Sequence, residues 1–124
     1  MPDSPGSAPV RVVVLADDLI WATRLVDAVT AAGAVPVRVR RLDDLFAALE
    51  GADHVIVDLT ARAYDGRRAI AEASARARVL AVGQHDDVEA RRAALAAGAE
   101  RVLAYRRLFE DGPAVVRDWL AAAP

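Results

Sequence analysis

Cysteine is absent from this 124-residue chain, and so is lysine: all 16 basic residues are arginine. Without thiols there are no disulfides and no thiolate metal sites. Without lysine, any task an ammonium group usually performs falls to the wider, forked guanidinium or is lost. Aromatic residues make up only 5% of a chain that is 55% hydrophobic, so the core is expected to be aliphatic and rich in small side chains. No apolar run approaches the ~20 residues of a membrane span, so no membrane partner is expected. The opening segment, residues 1–9, has neither a basic nor an apolar region and reads as a flexible leader, not a signal peptide. A net charge of −2 argues against nucleic acid as an obligatory partner, because phosphate contacts need clustered positive charge. These absences leave a cytoplasmic protein with one domain over residues 10–124, long enough to bury a core.

What is present is a regular alternation. Val10–Ala16 is a short β-branched run bounded by polar residues, as expected of a strand buried on both faces. From Leu19 the period changes: Ala22, Leu25, Val26 and Val29 follow helical spacing, and Gly33 stops that helix. Residues 35–40 alternate apolar and polar around Pro36, the mark of an edge strand. A short helix opens at Asp43-Asp44 and closes at Gly51. His54–Asp58 is a third strand, followed by a loop over 59–65 and a helix ending near Arg76. Val79–Val82, a helix over 88–97 stopped by Gly98, a strand over 101–105 and a last helix from about Pro113 to Ala122 complete the series. Five β-α units imply an α/β fold: a doubly wound, five-stranded parallel sheet of the flavodoxin-like kind, covered on both faces. Ligands of such sheets sit at the carboxyl ends of the strands.

Carboxylates are concentrated at that edge. The first strand stops at Asp17-Asp18 and the third at Asp58. If the strands are neighbours, three carboxylates converge, and they repel unless a proton or cation lies between them. A hard divalent ion, Mg2+ above all, suits such a set. A cluster left without its cation would make Asp58→Asn or Asp18→Asn stabilising. Asp18 has a competing role as N-cap of the first helix. His54 and His85 have no nucleophile or second ligand near them in sequence and read as structural or solvated. The paired arginines at 67–68, 91–92 and 106–107 read as solvated faces. Leu19-Ile20-Trp21, three large apolar residues beside the acidic edge, form a contact patch unless the leader or the 105–108 segment covers them. Trp119 belongs to the core stripe of the last helix.

The order and spacing of Asp17-Asp18, Asp58, Asp65-Gly66 and the phrase His85-Asp86-Asp87-Val88 … Ala94-Leu95-Ala96-Ala97-Gly98-Ala99-Glu100 resemble the CheY-like receiver domain of two-component response regulators, over residues 10–122. That resemblance implies a Mg2+ site at Asp17, Asp18 and Asp58, with the backbone carbonyl of Thr60 as a further ligand. It also implies Asp58 as phospho-acceptor, the one residue with a reactive role. Four positions depart from the family pattern. Gly83 stands where a Ser or Thr hydroxyl usually binds the phosphoryl group. Tyr105-Arg106 stands where Lys-Pro ends the fifth strand. Val102 replaces an aromatic residue that changes rotamer on activation, and Thr60-Ala61 replaces the usual Met-Pro or Leu-Pro. Arg106 takes the lysine's place only if the strand slips by one residue.

The resemblance therefore implies a stand-alone, atypical receiver, a non-enzymatic pseudo-receiver in bacterial signal transduction that acts through protein–protein contacts without phosphorylation. Its partners would be a histidine kinase or downstream effector, or a second copy through the face of the fifth strand and last helix. An orthodox receiver phosphorylated at Asp58 with Mg2+ is the nearer alternative. A small flavodoxin-like ligand-binding domain is the more distant one, disfavoured because the first turn, Ala16-Asp17-Asp18-Leu19, carries no glycine-rich phosphate loop.

Overall fold

The computed structural model describes residues 9–122; the leader expected over 1–9 lies outside them except for Pro9. The elements follow one another as β1 (Arg11–Leu15), α1 (Leu19–Ala31), β2 (Val35–Val39), α2 (Leu42–Ala48, continued by a tight turn of 3-10 helix to Gly51), β3 (His54–Asp58), α3 (Gly66–Ser74), β4 (Arg78–Gly83), α4 (Val88–Ala97), β5 (Arg101–Ala104) and α5 (Tyr105–Ala121). All five strands are parallel and lie in the order β2-β1-β3-β4-β5. The expected doubly wound sheet is thus observed, with the proline-bearing β2 on an edge.

Alternation along each strand divides the core in two. Val13, Leu15, Val55, Val57, Val79 and Ala81 point to one face, where Leu45 of α2, Ile70 of α3 and Ala94 of α4 cover them. Val12, Val14, Ile56, Leu80 and Val82 point to the other, against Leu25 of α1 and Val116 and Trp119 of α5. Every one of these strand residues is fully buried. The near-continuous apolar strands are therefore explained: both faces are dry, so neither needs a polar side chain. Register brings the last residues of β1, β3 and β4 level, with Leu15 opposite Val57 and Asp58 opposite Val82.

Aspartate caps start three of the helices. Asp18 accepts from the Trp21 N–H at 3.0 Å, Asp65 from Arg67 and Arg68, and Asp87 from Ala90. Each satisfies donors that the first helical turn leaves free.

The last helix begins eight residues earlier than expected, at Tyr105. A break at Asp111 (φ −150°, ψ 29°) separates a first segment from the segment that carries Pro113. The cause is local: proline has no N–H to give and its ring crowds the carbonyl four residues before it. The short first segment matters, because it carries Tyr105 off the end of β5 and back over the carboxyl edge.

Candidate functional site

Asp58 is the only polar or charged residue that is fully buried among the described residues. Its Oδ1 accepts from the Thr60 N–H at 3.0 Å and the Thr60 hydroxyl at 2.9 Å. It also accepts from the Tyr105 hydroxyl, which in turn touches the Thr60 hydroxyl. Two hydroxyl protons thus serve three oxygen–oxygen contacts. Asp58 Oδ2 is buried without a partner. Burial, together with the hydrogen bond to Asp58, holds the Tyr105 hydroxyl well above the usual phenol range, so it remains a donor at neutral pH.

The other two acids of the edge are turned elsewhere. Asp17 Oδ2 accepts from the backbone N–H groups of Arg62 (2.9 Å) and Ala63 (3.0 Å), pinning the loop between β3 and α3. Asp18 is occupied as the cap of α1. Tyr64, from the same loop, is buried and donates toward the carbonyl oxygens of Leu15 (2.9 Å) and Asp58 (2.7 Å), tying the ends of β1 and β3 together. Burial is the larger cause, and the charge of Asp58 the next, of a Tyr64 hydroxyl raised far above the ordinary value.

The three acids therefore share an edge but do not form the expected cluster. Among the described residues, no three acidic, histidine or cysteine side chains gather as a metal-binding set. Asp18 and Asp17 have backbone donors in place of a cation, and Thr60 turns its N–H and hydroxyl onto Asp58. Asp58 Oδ2 is buried without a partner, and Asp17 Oδ1 and Asp18 Oδ2 accept no hydrogen bond among the described residues; three carboxylate oxygens are therefore left for a divalent ion, whose shell water would complete. As arranged, the three acids are not gathered into a metal-binding set, and holding Mg2+ would require them to turn toward one another. The gain expected of Asp58→Asn or Asp18→Asn rested on crowded carboxylates; here Asp58 has three donors of its own and Asp18 a helix end.

Two glycines close the pocket from the side. A Cβ built on Gly83 would meet Leu59 Cδ1 at 3.2 Å, and one on Gly66 would meet Leu59 Cδ2 at 3.3 Å. Leu59 lies between them and fills the volume beside Gly83 into which a Ser or Thr side chain would extend. Arg106 does not replace the missing lysine. It is exposed and pairs with Glu110 at 2.8 Å, while Tyr105 holds the position over Asp58. Val102 is buried in the sheet core.

The chain has the CheY-like receiver fold. The BeF3-activated receiver domain of DrrB superposes with a TM-score of 0.79 at 16% identity, over 93% of this chain and all of that one. The phosphorylated cyanobacterial phytochrome response regulator RcpA gives 0.77 at 17%, over 94% and 98%. The Mn(2+)-bound form of response regulator Rcp1 gives 0.75 at 15%, over 94% and 98%. No protein-family model matches the sequence, and no curated protein does either. No helix among the described residues is long and apolar enough to cross a membrane.

Within this receiver fold, sequence reasoning located the edge and Asp58 but missed Tyr105, Tyr64 and Leu59 as the residues that close it. One signal was available. The chain has only two tyrosines; one follows β5 directly, where its phenol reaches the Asp58 carboxylate. His54 and Trp119 are structural, as expected. His54 stands edge-on to Trp119, with ring centroids 5.2 Å apart, and both of its nitrogens are buried without partners. The Trp119 N–H donates to Glu100 at 3.1 Å.

Proposed function

We propose that this is an atypical receiver module that acts in signal transduction through protein contacts, with no need for phosphorylation of Asp58. The observation that carries this reading is the buried Asp58 carboxylate, already engaged by Thr60 and by the hydroxyl of Tyr105. Phosphoryl transfer depends on positioned cations and donors around three equatorial oxygens. Here the hydroxyl slot is filled by Leu59, the lysine is a tyrosine, and Asp17 and Asp18 hold backbone N–H groups. A divalent ion has to draw the three acids together against these bonds, so Mg2+ binds the edge weakly.

A phosphoryl group shifts a two-state protein only through contacts that it makes better in one state than in the other. Gly83 and Val102 offer no such contact. The module is therefore constitutively in its acting conformation, and its partner is a signalling protein, such as a kinase or an effector, that reads a permanent surface. The test is an amide NMR map recorded with Mg2+ before and after addition of beryllofluoride, a phosphoryl mimic. Shifts that are absent or confined to residues around Asp58 support the reading. Shifts that reach Val102 and run along α5 support the orthodox phospho-acceptor receiver instead.

A further inference from the structure

Leu19 and Ile20 of α1 and Phe109 of α5 are 67%, 65% and 63% exposed, large apolar side chains left in water on adjoining helices. Between α1 and α5 lies a cleft of about 320 Å³, lined by Ile20, Trp21, Arg24, Tyr105, Arg106 and Phe109. That size is at the low end of ligand pockets, roughly 300–1,000 Å³, enough for an anchoring side chain or two. The lining holds aromatic and aliphatic surface with two guanidinium groups and no carboxylate.

Arg24 is the informative residue. Its guanidinium lies 4.5 Å from the centre of the Phe109 ring and 5.7 Å from that of Trp21, held by ring faces instead of by an acid. Among the described residues, only Arg78 and Arg106 are paired with carboxylates. The charge of Arg24 is thus positioned but not neutralised. The Arg106–Glu110 pair is exposed, and such pairs exchange partners at little cost.

The cleft is also connected to Asp58. The Tyr105 ring packs against Trp21 with centroids 4.1 Å apart and forms one wall, while its hydroxyl is held by Asp58 and Thr60. The bond that closes the pocket therefore fixes the shape of the groove.

We infer that this groove is the docking site for a protein segment that carries an apolar anchor flanked by carboxylates, and that Tyr105, tethered by Asp58, positions its wall. The inference rests on the protein-contact reading above and names the partner's chemistry. The apolar floor takes the anchor; Arg24 and Arg106 take the flanking acids. A lipid surface is a poorer match, because recruitment to anionic lipid takes clusters of about four or more basic residues, and this groove has two arginines.

The experiment uses two labelled 12-residue peptides with the same Leu and Phe positions, one flanked by glutamates and one by lysines, titrated with the whole protein and read by anisotropy. The glutamate peptide is expected to bind roughly tenfold or more tighter than the lysine peptide. Arg24→Glu should remove that preference and Ile20→Asp should abolish binding, whereas Arg92→Glu, on α4 across the sheet, should change nothing. Tyr105→Phe keeps the ring but frees it, and should weaken binding severalfold. Equal affinity for the two peptides, full binding by Ile20→Asp, or binding only to anionic phosphatidylglycerol vesicles would overturn the docking site. An unchanged Tyr105→Phe would overturn the tether. Phosphorylation of Asp58 by a small-molecule donor would sink the constitutive reading while leaving peptide binding to be judged on its own result.

Discussion

Replacing Tyr105 by phenylalanine removes one oxygen and nothing else, so it isolates the bond that closes the site. Tyr105 is only 8% exposed and Asp58 not at all, so water does not readily replace the lost hydroxyl. A hydrogen bond to a charged group contributes about 1.5–3 kcal/mol. Two of the three donors on Asp58 Oδ1 remain, both from Thr60. Oδ2 is already without a partner, so the carboxylate has no second bonded oxygen to compensate. We therefore expect Tyr105→Phe to lose about 2 kcal/mol, with the ring kept but no longer tethered. For a domain of this size that corresponds to a fall in Tm of roughly 8 °C, taking about 4 °C per kcal/mol. Urea unfolding at neutral pH, followed by circular dichroism, measures it directly; the slope should not change, because the surface exposed on unfolding is the same. A variant as stable as wild type, or more stable, would refute the reasoning. The hydroxyl would then be no net stabiliser, and Asp58 would be open to other occupants.

Three further outcomes follow from the same geometry. Gly83→Ala should be destabilising by about 1 kcal/mol through crowding of Leu59, and the cost should shrink in a Leu59→Ala background, with a coupling of at least ~0.5 kcal/mol in a double-mutant cycle. Asp18→Ala should cost about 1 kcal/mol by uncapping α1, while Asp18→Asn should be nearly neutral because asparagine caps equally well; a marked gain from Asp18→Asn would mean that the edge carboxylates do repel. His54 is held neutral, its pKa lowered from 6.5 by burial and then by Arg78. The unfolded chain therefore binds a proton first, and stability should be level above about pH 7 and decline as pH falls below 6.5. His54→Leu should flatten that decline in urea midpoints between pH 8 and 5, and an identical decline in the variant would assign it elsewhere.

The sheet was legible in the sequence because its strands are buried on both faces, which writes them as unbroken apolar, β-branched runs, and because Gly33, Gly51 and Gly98 mark helix ends. Asp17, Asp18 and Asp58 were correctly assigned to one edge. Their contacts were not legible, since aspartate beside a helix start has two uses, cap and metal ligand, and side-chain rotation alone decides between them. At Asp18 the cap won. The start of α5 was missed because Pro113 is a good first-turn residue, and it concealed the helical turns before it. That error hid Tyr105, read as the end of a strand. Leu59 was hidden for a different reason: its inward position depends on two glycines, Gly66 and Gly83, that are distant in sequence and adjacent in space.

The central claim is that Asp58 is closed to phosphoryl transfer. Incubation of the whole protein with acetyl phosphate and Mg2+, followed by intact mass spectrometry under conditions that preserve acyl phosphates, tests it most directly. The account predicts an unmodified mass for wild type. A phosphoryl adduct that forms readily and disappears in Asp58→Asn would contradict it.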